Sequence, residues 1–121
     1  THAQAGYGNP DYDIVRQQQM SELATFVMGS QCNTTPSLVV GDLNCRPGDE
    51  DYETAIREAA LTRLMVGESR IDHILAAKSL YYSFKVVDTV PIDQTVTLDG
   101  KELALSDHTG WMSTIEITPK D

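Results

Sequence analysis

Six residues carry side chains suited to acid–base or metal chemistry, and each falls at the end of a predicted strand or in an adjoining turn. They comprise two histidines, three aspartates and one asparagine: His2, Asp42, Asn44, Asp72, Asp107 and His108. Folds of the α/β class build their sites at such places. An imidazole exchanges a proton near neutral pH, and a carboxylate can orient that imidazole or bind a hard cation. The set therefore predicts a site for proton transfer or cation binding, provided that the fold gathers it.

The spacing of these residues indicates which of them could act together. Asp42 and Asn44 are two positions apart, so a strand that continued through both would project them to one side, where they could grip one substrate atom. Asp107 and His108 are adjacent and would point apart on a strand, but a turn could direct both into one cleft. A histidine general base usually has a carboxylate that fixes its tautomer, and Asp72, within an apolar strand, is the natural candidate.

Each residue also has a structural interpretation. Asp42 could be a turn or helix-cap residue, since aspartate commonly has that role after a buried strand. His108 could be a solvated loop residue, and His2 could lie on a frayed terminus. His73 is expected to face away from Asp72, because neighbouring residues of a strand alternate between its two faces.

Two helices are predicted to help position these residues. Apolar residues at helical spacing predict the first from about residue 12 to residue 28, with one face packed on a sheet. The residues that define this face are Ile14, Val15, Leu23, Phe26 and Val27. The second helix is predicted from residue 52 to about residue 64, after an acidic run at 49–51 that we interpret as capping.

Strands are predicted between and after the helices. The run 37–40 is β-branched and bounded by Pro36 and Gly41, as expected for a strand buried on both faces. Residues 70–75, 81–90 and 111–117 form further predicted strands. The clearest hairpin signal is Asp99-Gly100, between alternating apolar residues at 96, 98, 103 and 105. Strands before and after helices predict a mixed α/β (α+β) architecture.

Length and composition restrict the class of protein. At 121 residues the chain is one domain or a piece of a larger one. Its formal charge of −9 disfavours nucleic-acid binding but attracts divalent cations. Cys32 and Cys45 are too few and too irregularly spaced for a disulfide framework or a zinc site. No apolar run reaches the ~20 residues of a membrane-spanning helix, so we expect a soluble or peripheral membrane protein of unspecified compartment.

The order of several short fragments along the chain is a more specific signal than any single residue. The fragments are Thr1-His2, Arg16 and Gln19 in the first helix, Gly41-Asp42-Leu43-Asn44 followed by Pro47, Arg70-Ile71-Asp72-His73-Ile74-Leu75, and Ser106-Asp107-His108. In this order they resemble the endonuclease/exonuclease/phosphatase superfamily of DNase I-like proteins. The opening Thr-His-Ala-Gln-Ala and the later Leu-Ser-Asp-His-Thr-Gly are most similar to neutral sphingomyelinases.

The resemblance implies a fold and a reaction. The fold would be the carboxyl-terminal part of a DNase I-like four-layer α/β sandwich over residues 1–121, with the amino-terminal half absent and required to complete it. The reaction would be attack by water on a phosphodiester, with bound Mg²⁺ or Mn²⁺ polarising the phosphate. The implied substrate is a phospholipid such as sphingomyelin, hydrolysed to ceramide and phosphocholine with peripheral membrane contact.

The resemblance also implies catalytic roles for four matched residues. His108 would be the general base, and Asp72 would be the carboxylate that orients it. Asp42 would position the attacking water. Asn44 would bind the phosphate and orient Asp42.

Four further residues receive roles on the same ground. His2 would contact the phosphate and stabilise its developing negative charge, and Asp107 would be a metal-site carboxylate. Arg16 and Gln19 we interpret as structural residues that tie the first helix to the sheet. Two other functions stay open at this point, namely a DNase-like or abasic-site-like nuclease and a catalytically silent truncated binding module.

Overall fold

The computed structural model describes residues 1–30, 35–67 and 70–121. Within these ranges, helices and strands alternate and a run of strands closes the chain. The elements are α1 (Pro10–Ser30), β1 (Leu38–Asp42), α2 (Glu50–Glu58), β2 (Leu61–Arg63), β3 (Asp72–Ala77), β4 (Tyr82–Ile92), β5 (Thr95–Leu98), β6 (Lys101–Ala104) and β7 (Gly110–Pro119). This order confirms the predicted mixed α/β architecture.

An antiparallel three-stranded sheet, in the order β1-β3-β2, lies at the centre of the fold. One of its faces is covered by α1 and α2, whose apolar side chains pack on Leu61 and Leu75 to form the core. The opposite face is open, because Leu38 and Val40 of β1 are 46% and 54% exposed. The prediction that β1 is buried on both faces is therefore wrong, since the helices cover only one side of the sheet.

α1 confirms the predicted first helix, but its buried face differs from the prediction. The buried residues are Arg16, Met20, Ala24 and Val27, which form one stripe at helical spacing. Val27 was predicted correctly, whereas Ile14 and Phe26 are exposed. Arg16 was not predicted on this face, because apolar spacing cannot indicate that a charged residue is buried. No helix in the described ranges is long and apolar enough to cross a membrane.

α2 ends at Glu58, about six residues before the predicted end. Ala60 has a positive φ of 48°, which a helix interior does not tolerate, so the chain turns there. Leu61 to Arg63 then form β2, which pairs with β3 and buries Leu61 against the core. Pairing with β3 therefore replaces the last predicted turns of the helix.

The remaining strands form two antiparallel pairs. β4 pairs with β7 in a long ribbon that has a bulge between Val86 and Asp88, and β5 pairs with β6. The turn between β5 and β6 has positive φ at both Asp99 and Gly100, as the favoured two-residue hairpin turn requires. The predicted strands at 81–90 and 111–117 and the predicted hairpin are thus confirmed.

Candidate active site

Two carboxylates lie side by side at one end of the open sheet face. β1 ends at Asp42 and β3 begins at Asp72, and the antiparallel register pairs these two residues directly. Directly opposed residues of an antiparallel pair project to the same face. Both side chains remain partly exposed there. Strand register alone thus brings together two of the predicted site residues.

His108 reaches this pair of carboxylates from the turn that precedes β7. Its Nδ1 lies 2.9 Å from Oδ2 of Asp72, and the ring N–H donates to the carboxylate. The hydrogen bond to Asp72 and the charge of Asp72 raise the pKa of His108 above its ordinary value. With the proton on Nδ1, the lone pair of the neutral ring lies on Nε2, which is 3.7 Å from Oδ2 of Asp42. This is the arrangement of a histidine base with an orienting carboxylate.

Asn44 fixes the orientation of Asp42 through its backbone. The Asn44 N–H donates to Oδ1 of Asp42 over 2.8 Å. Asn44 is buried, with 6% of the residue exposed, and its Nδ2 donates to the Ala3 carbonyl over 2.9 Å. The condition for Asp42 and Asn44 to project to one side, a strand that continues through both, is not met, because β1 ends at Asp42 and Asn44 has a positive φ of 50°. The phosphate-binding role of Asn44 stays a prediction.

The segment that carries His2 lies along the end of β1. The Thr1 amino group donates to the Val40 carbonyl, and the Ala3 N–H donates to the Asp42 carbonyl. These contacts bring Nε2 of His2 to 3.6 Å from Oδ2 of Asp42, with the imidazole largely exposed. Gly41 permits the approach, because a Cβ there would lie 1.9 Å from the Thr1 carbonyl oxygen. The structure thus gathers His2 into the site.

Arg16 and Gln19 hold the same segment from the other side. Oε1 of Gln19 accepts the Gln4 N–H over 2.8 Å, and Nη1 of Arg16 donates to the Gln4 carbonyl over 3.2 Å. The Arg16 guanidinium also pairs with Asp13 and Asp51, the latter at 2.6 Å. The structural interpretation of both residues is consistent with these contacts, although they tie α1 to α2 and the first segment and not directly to the sheet. Asp51 lies in the first turn of α2, and it is also the ion-pair partner of Arg16.

A cleft of about 720 Å³ opens beside His108. Asp72, Asp107 and His108 all line it, so the turn directs Asp107 and His108 toward one cavity, as the sequence allows. Asp93 and Trp111 also line the cleft and were not predicted as site residues. The only signal for Asp93 was its place just after a predicted strand, and Trp111 lay within one.

His73 faces the opposite side of β3, as predicted. It is buried, and its Nε2–H donates to the Cys45 carbonyl over 2.8 Å. Burial lowers the pKa of His73, so the ring is held neutral. Burial also raises the pKa of the Cys45 thiol to about 12, which leaves it unreactive at neutral pH. Cys32 lies outside the described residues.

The sequence profile described as the Endonuclease/Exonuclease/phosphatase family matches residues 4–108. The chain belongs to this family. The matched range contains Asp42, Asn44, Asp72 and His108, while His2 lies just before it. No curated protein sequence matches the chain significantly.

Three solved structures, one of them a sphingomyelinase C, share the fold of this family member. A beta toxin from Staphylococcus aureus is 18% identical with a TM-score of 0.67, over 99% of this chain and 51% of the toxin. SmcL is 18% identical with a TM-score of 0.57, over 98% of this chain and 52% of SmcL. Sphingomyelinase C from Streptomyces griseocarneus is 17% identical with a TM-score of 0.52, over 100% of this chain and 51% of that enzyme.

These likenesses establish the fold of the family member and not its substrate, because the identities are low. They confirm the predicted DNase I-like α/β fold in partial form. The chain spans about half the length of the solved structures that it matches.

Enzymes with this fold are generally metal-dependent, and the site has donors for a cation. Asp42, Asp72 and His108 each offer a ligand atom, and these atoms lie within 4.8 Å of one another. Two carboxylates and one imidazole fit a divalent ion that keeps several water ligands. Asp107, the predicted metal-site carboxylate, lies outside this group but on the same cleft. Its role as a ligand stays a prediction.

Proposed function

We propose that this chain supplies the general base of a metal-dependent phosphodiesterase that hydrolyses sphingomyelin or a similar phospholipid to ceramide and phosphocholine. One observation carries the proposal. His108 donates from Nδ1 to Asp72 and presents Nε2 beside Asp42, which is the geometry of an imidazole ready to accept a proton. Family membership supports hydrolysis, and the likeness in fold to sphingomyelinase C supports the choice of substrate.

In this mechanism, Nε2 of His108 removes a proton from a water molecule as the water oxygen bonds to phosphorus and the P–O bond to the ceramide oxygen breaks. The leaving ceramide oxygen takes up a proton from solvent. Asp72 stabilises the imidazolium that forms, because the Nδ1–H already donates to its carboxylate. Asp42 accepts a second hydrogen bond from the same water and so directs its lone pair toward phosphorus. The Asn44 N–H keeps the Asp42 carboxylate in one orientation during attack.

His2 is assigned to the phosphate. Its imidazole is 69% exposed and its Nε2 lies 3.6 Å from Oδ2 of Asp42, so a phosphodiester bound beside Asp42 can reach it. An imidazole N–H of His2 would donate to a nonbridging oxygen and stabilise the negative charge that develops there. Asn44 contributes to phosphate binding only if its amide leaves the Ala3 carbonyl.

Asp42, Asp72 and Asp107 are the carboxylates available to hold the cation, which we assign as Mg²⁺ with Mn²⁺ as the alternative. When bound, the ion polarises the phosphate and stabilises the leaving oxygen. The Nδ1 atom of His108 is already engaged with Asp72, which favours the base role of this imidazole over ligation.

The lining of the cleft supports a zwitterionic phospholipid over a nucleic acid. Asp72, Asp93 and Asp107 line it, and none of its described lining residues is a lysine or an arginine. Carboxylates suit the cationic end of a choline headgroup, whereas a polyanion would meet uncompensated negative charge. Exposed apolar side chains on the β5–β6 hairpin, Leu98 and Leu103 among them, support contact with a lipid surface.

We further propose that catalysis requires a complementary half of the fold. The chain matches about half of the beta toxin and half of sphingomyelinase C, and Leu38 and Val40 leave an apolar sheet face uncovered. A second sheet packed on that face would bury these residues and close the site from above.

The test is Mg²⁺-dependent release of phosphocholine from sphingomyelin vesicles, with EDTA and duplex DNA as controls. The chain is assayed alone and fused to the half of Streptomyces griseocarneus sphingomyelinase C that it does not match. The proposal is supported if the fusion releases phosphocholine and the same fusion with His108→Ala does not. DNA cleavage would reassign the chain to a nuclease, and a folded but silent fusion would favour a binding module.

A further inference from the structure

The two members of the proposed catalytic pair stand on different parts of the fold. Asp72 is the first residue of β3 in the three-stranded sheet, whereas His108 lies in the turn before β7 of the ribbon. The sheet and the ribbon do not hydrogen-bond to each other as neighbouring strands. The 2.9 Å contact between His108 and Asp72 therefore depends on other contacts that hold the ribbon against the sheet.

One such contact is a stacked pair close to both catalytic residues. The guanidinium of Arg70 lies 3.5 Å from the centre of the Trp111 ring. Arg70 is two residues before Asp72, and Trp111 is three residues after His108. An arginine stacked on the face of tryptophan is among the stronger cation–π geometries. The stack thus joins the two chain segments that carry the pair.

A second contact joins the same segments on the ribbon side. The Val66 N–H donates to Oγ1 of Thr89 over 2.8 Å, and this hydroxyl is 2.8 Å from the hydroxyl of Ser113. Thr89 and Ser113 are paired across β4 and β7, so Val66 is hydrogen-bonded directly to β4 and, through the Thr89 hydroxyl, to β7. Nη1 of Arg70 also donates to the Val66 carbonyl, which links the two contacts.

The geometry points to Arg70 and Trp111 as positioning residues for His108, with the Val66–Thr89–Ser113 hydrogen bonds as their support. The inference rests on the proposed function, since it assigns these residues to the alignment of the proposed base. They act through His108 and do not touch the substrate in this role. Loss of the stack frees the turn at 106–110 to move away from β3, and the Nδ1–H of His108 then loses Asp72 as its acceptor.

The test is the tautomer of neutral His108, read from the ¹⁵N shifts of its ring by long-range ¹H–¹⁵N NMR. Spectra of the 121-residue chain are recorded with EDTA, at a pH well above the His108 titration. The wild-type ring is expected to carry its proton on Nδ1. Trp111→Ala and Arg70→Gln are expected to lower the ratio of the Nδ1–H to the Nε2–H tautomer by about two- to five-fold, the factor that corresponds to one cation–π contact.

Three variants act as controls. Trp111→Phe retains an aromatic face and is expected to keep most of the wild-type ratio. Asp72→Ala removes the acceptor and sets the value for a ring with no partner. Arg57→Gln removes one positive charge from an exposed position in α2 and is expected to leave the ratio unchanged.

The inference is overturned if Trp111→Ala and Arg70→Gln both keep the wild-type ratio while remaining folded by circular dichroism. If Trp111→Ala does not fold, the decision passes to Arg70→Gln, which changes a partly exposed side chain. The measurement does not use activity, so a protein that lacks phosphodiesterase activity can still pass or fail it. Failure of the proposed function and failure of this inference are therefore separable.

Discussion

The two faces of strand β3 place similar groups in opposite environments. His73 points into the core beneath α1 and α2, while Asp72, one residue earlier, points to the open face and meets His108. Both imidazoles make one hydrogen bond at close range. They differ in the partner, because His73 donates to a neutral carbonyl and His108 donates to a carboxylate. One strand thus carries a structural histidine, His73, on one face and the carboxylate that orients His108, Asp72, on the other.

The electrostatic consequence follows from the partners. Burial lowers the pKa of His73, and its Nδ1 is buried without a hydrogen-bond partner in the described part of the chain. The carboxylate of Asp72 raises the pKa of His108. Proton exchange at neutral pH is therefore expected at His108, and the neutral form is expected at His73.

The largest effect is expected from His108→Ala. Removal of the base should lower the turnover of sphingomyelin at least ~10²-fold while substrate binding is largely kept. His73→Gln is the matched control, since glutamine can still donate to the Cys45 carbonyl, and its turnover per folded molecule should stay near the wild-type value. An unchanged rate in His108→Ala would remove the base from this assignment.

A smaller loss is expected from Asp72→Asn. The neutral amide cannot stabilise the imidazolium or fix its tautomer as a carboxylate does, so turnover should fall roughly 10- to 10²-fold. The quantity to measure is kcat, with KM close to the wild-type value. Normal kinetics in this variant would mean that Asp72 is only a structural residue at the end of β3.

A substitution of His73, on the face of β3 that α1 and α2 cover, should change the stability of the fold and not the turnover. His73→Leu removes the donor to the buried Cys45 carbonyl, and an unpaired buried acceptor costs about 1–3 kcal/mol. Urea unfolding of this variant and of the wild-type protein gives the difference directly. His108→Leu, on the open face, should change the free energy of unfolding far less. Equal losses in the two variants would contradict the contrast between the faces.

The two histidines should also shift stability with pH in opposite directions. The folded pKa of His73 is below the ordinary value of about 6.5, so its neutral burial stabilises the fold above that value and this contribution is lost as the pH falls through it. The folded pKa of His108 is raised, so its contribution is present below about 6.5 and is lost as the pH rises through the folded value. The free energy of unfolding is measured at several pH values between pH 5 and pH 8, an interval of roughly three units around that value. In His73→Gln it should fall less steeply toward acid pH than in the wild-type protein. A variant curve parallel to the wild-type curve would refute the assignment for His73.

Local alternation was sufficient to predict this contrast. Neighbouring residues of a strand point to opposite faces, and that rule placed Asp72 and His73 correctly before any long-range information. The Asp99-Gly100 turn was equally predictable, because its residue types favour the positive φ angles that the hairpin needs. The matched fragments also indicated the family, because their order is specific although each fragment is weak.

Features set by distant contacts could not be predicted in the same way. The Asn44 side chain does not join the Asp42 carboxylate, because its Nδ2 donates to the carbonyl of Ala3, which is 41 residues away in sequence. α2 stops early because β2 pairs with β3, and Arg16 is buried because Asp51 pairs with it. In each case a partner remote in sequence outweighs the local pattern.

The central claim is that Asp72 makes His108, and not His73, the proton acceptor. An NMR titration of the ring protons of all histidines in one metal-free sample tests it most directly, with Asp72→Asn used to assign the effect. The account predicts that His108 titrates above about 6.5 and returns toward that value in Asp72→Asn, while His73 titrates below it in both proteins. A wild-type His108 midpoint at or below that of His73 would contradict the account.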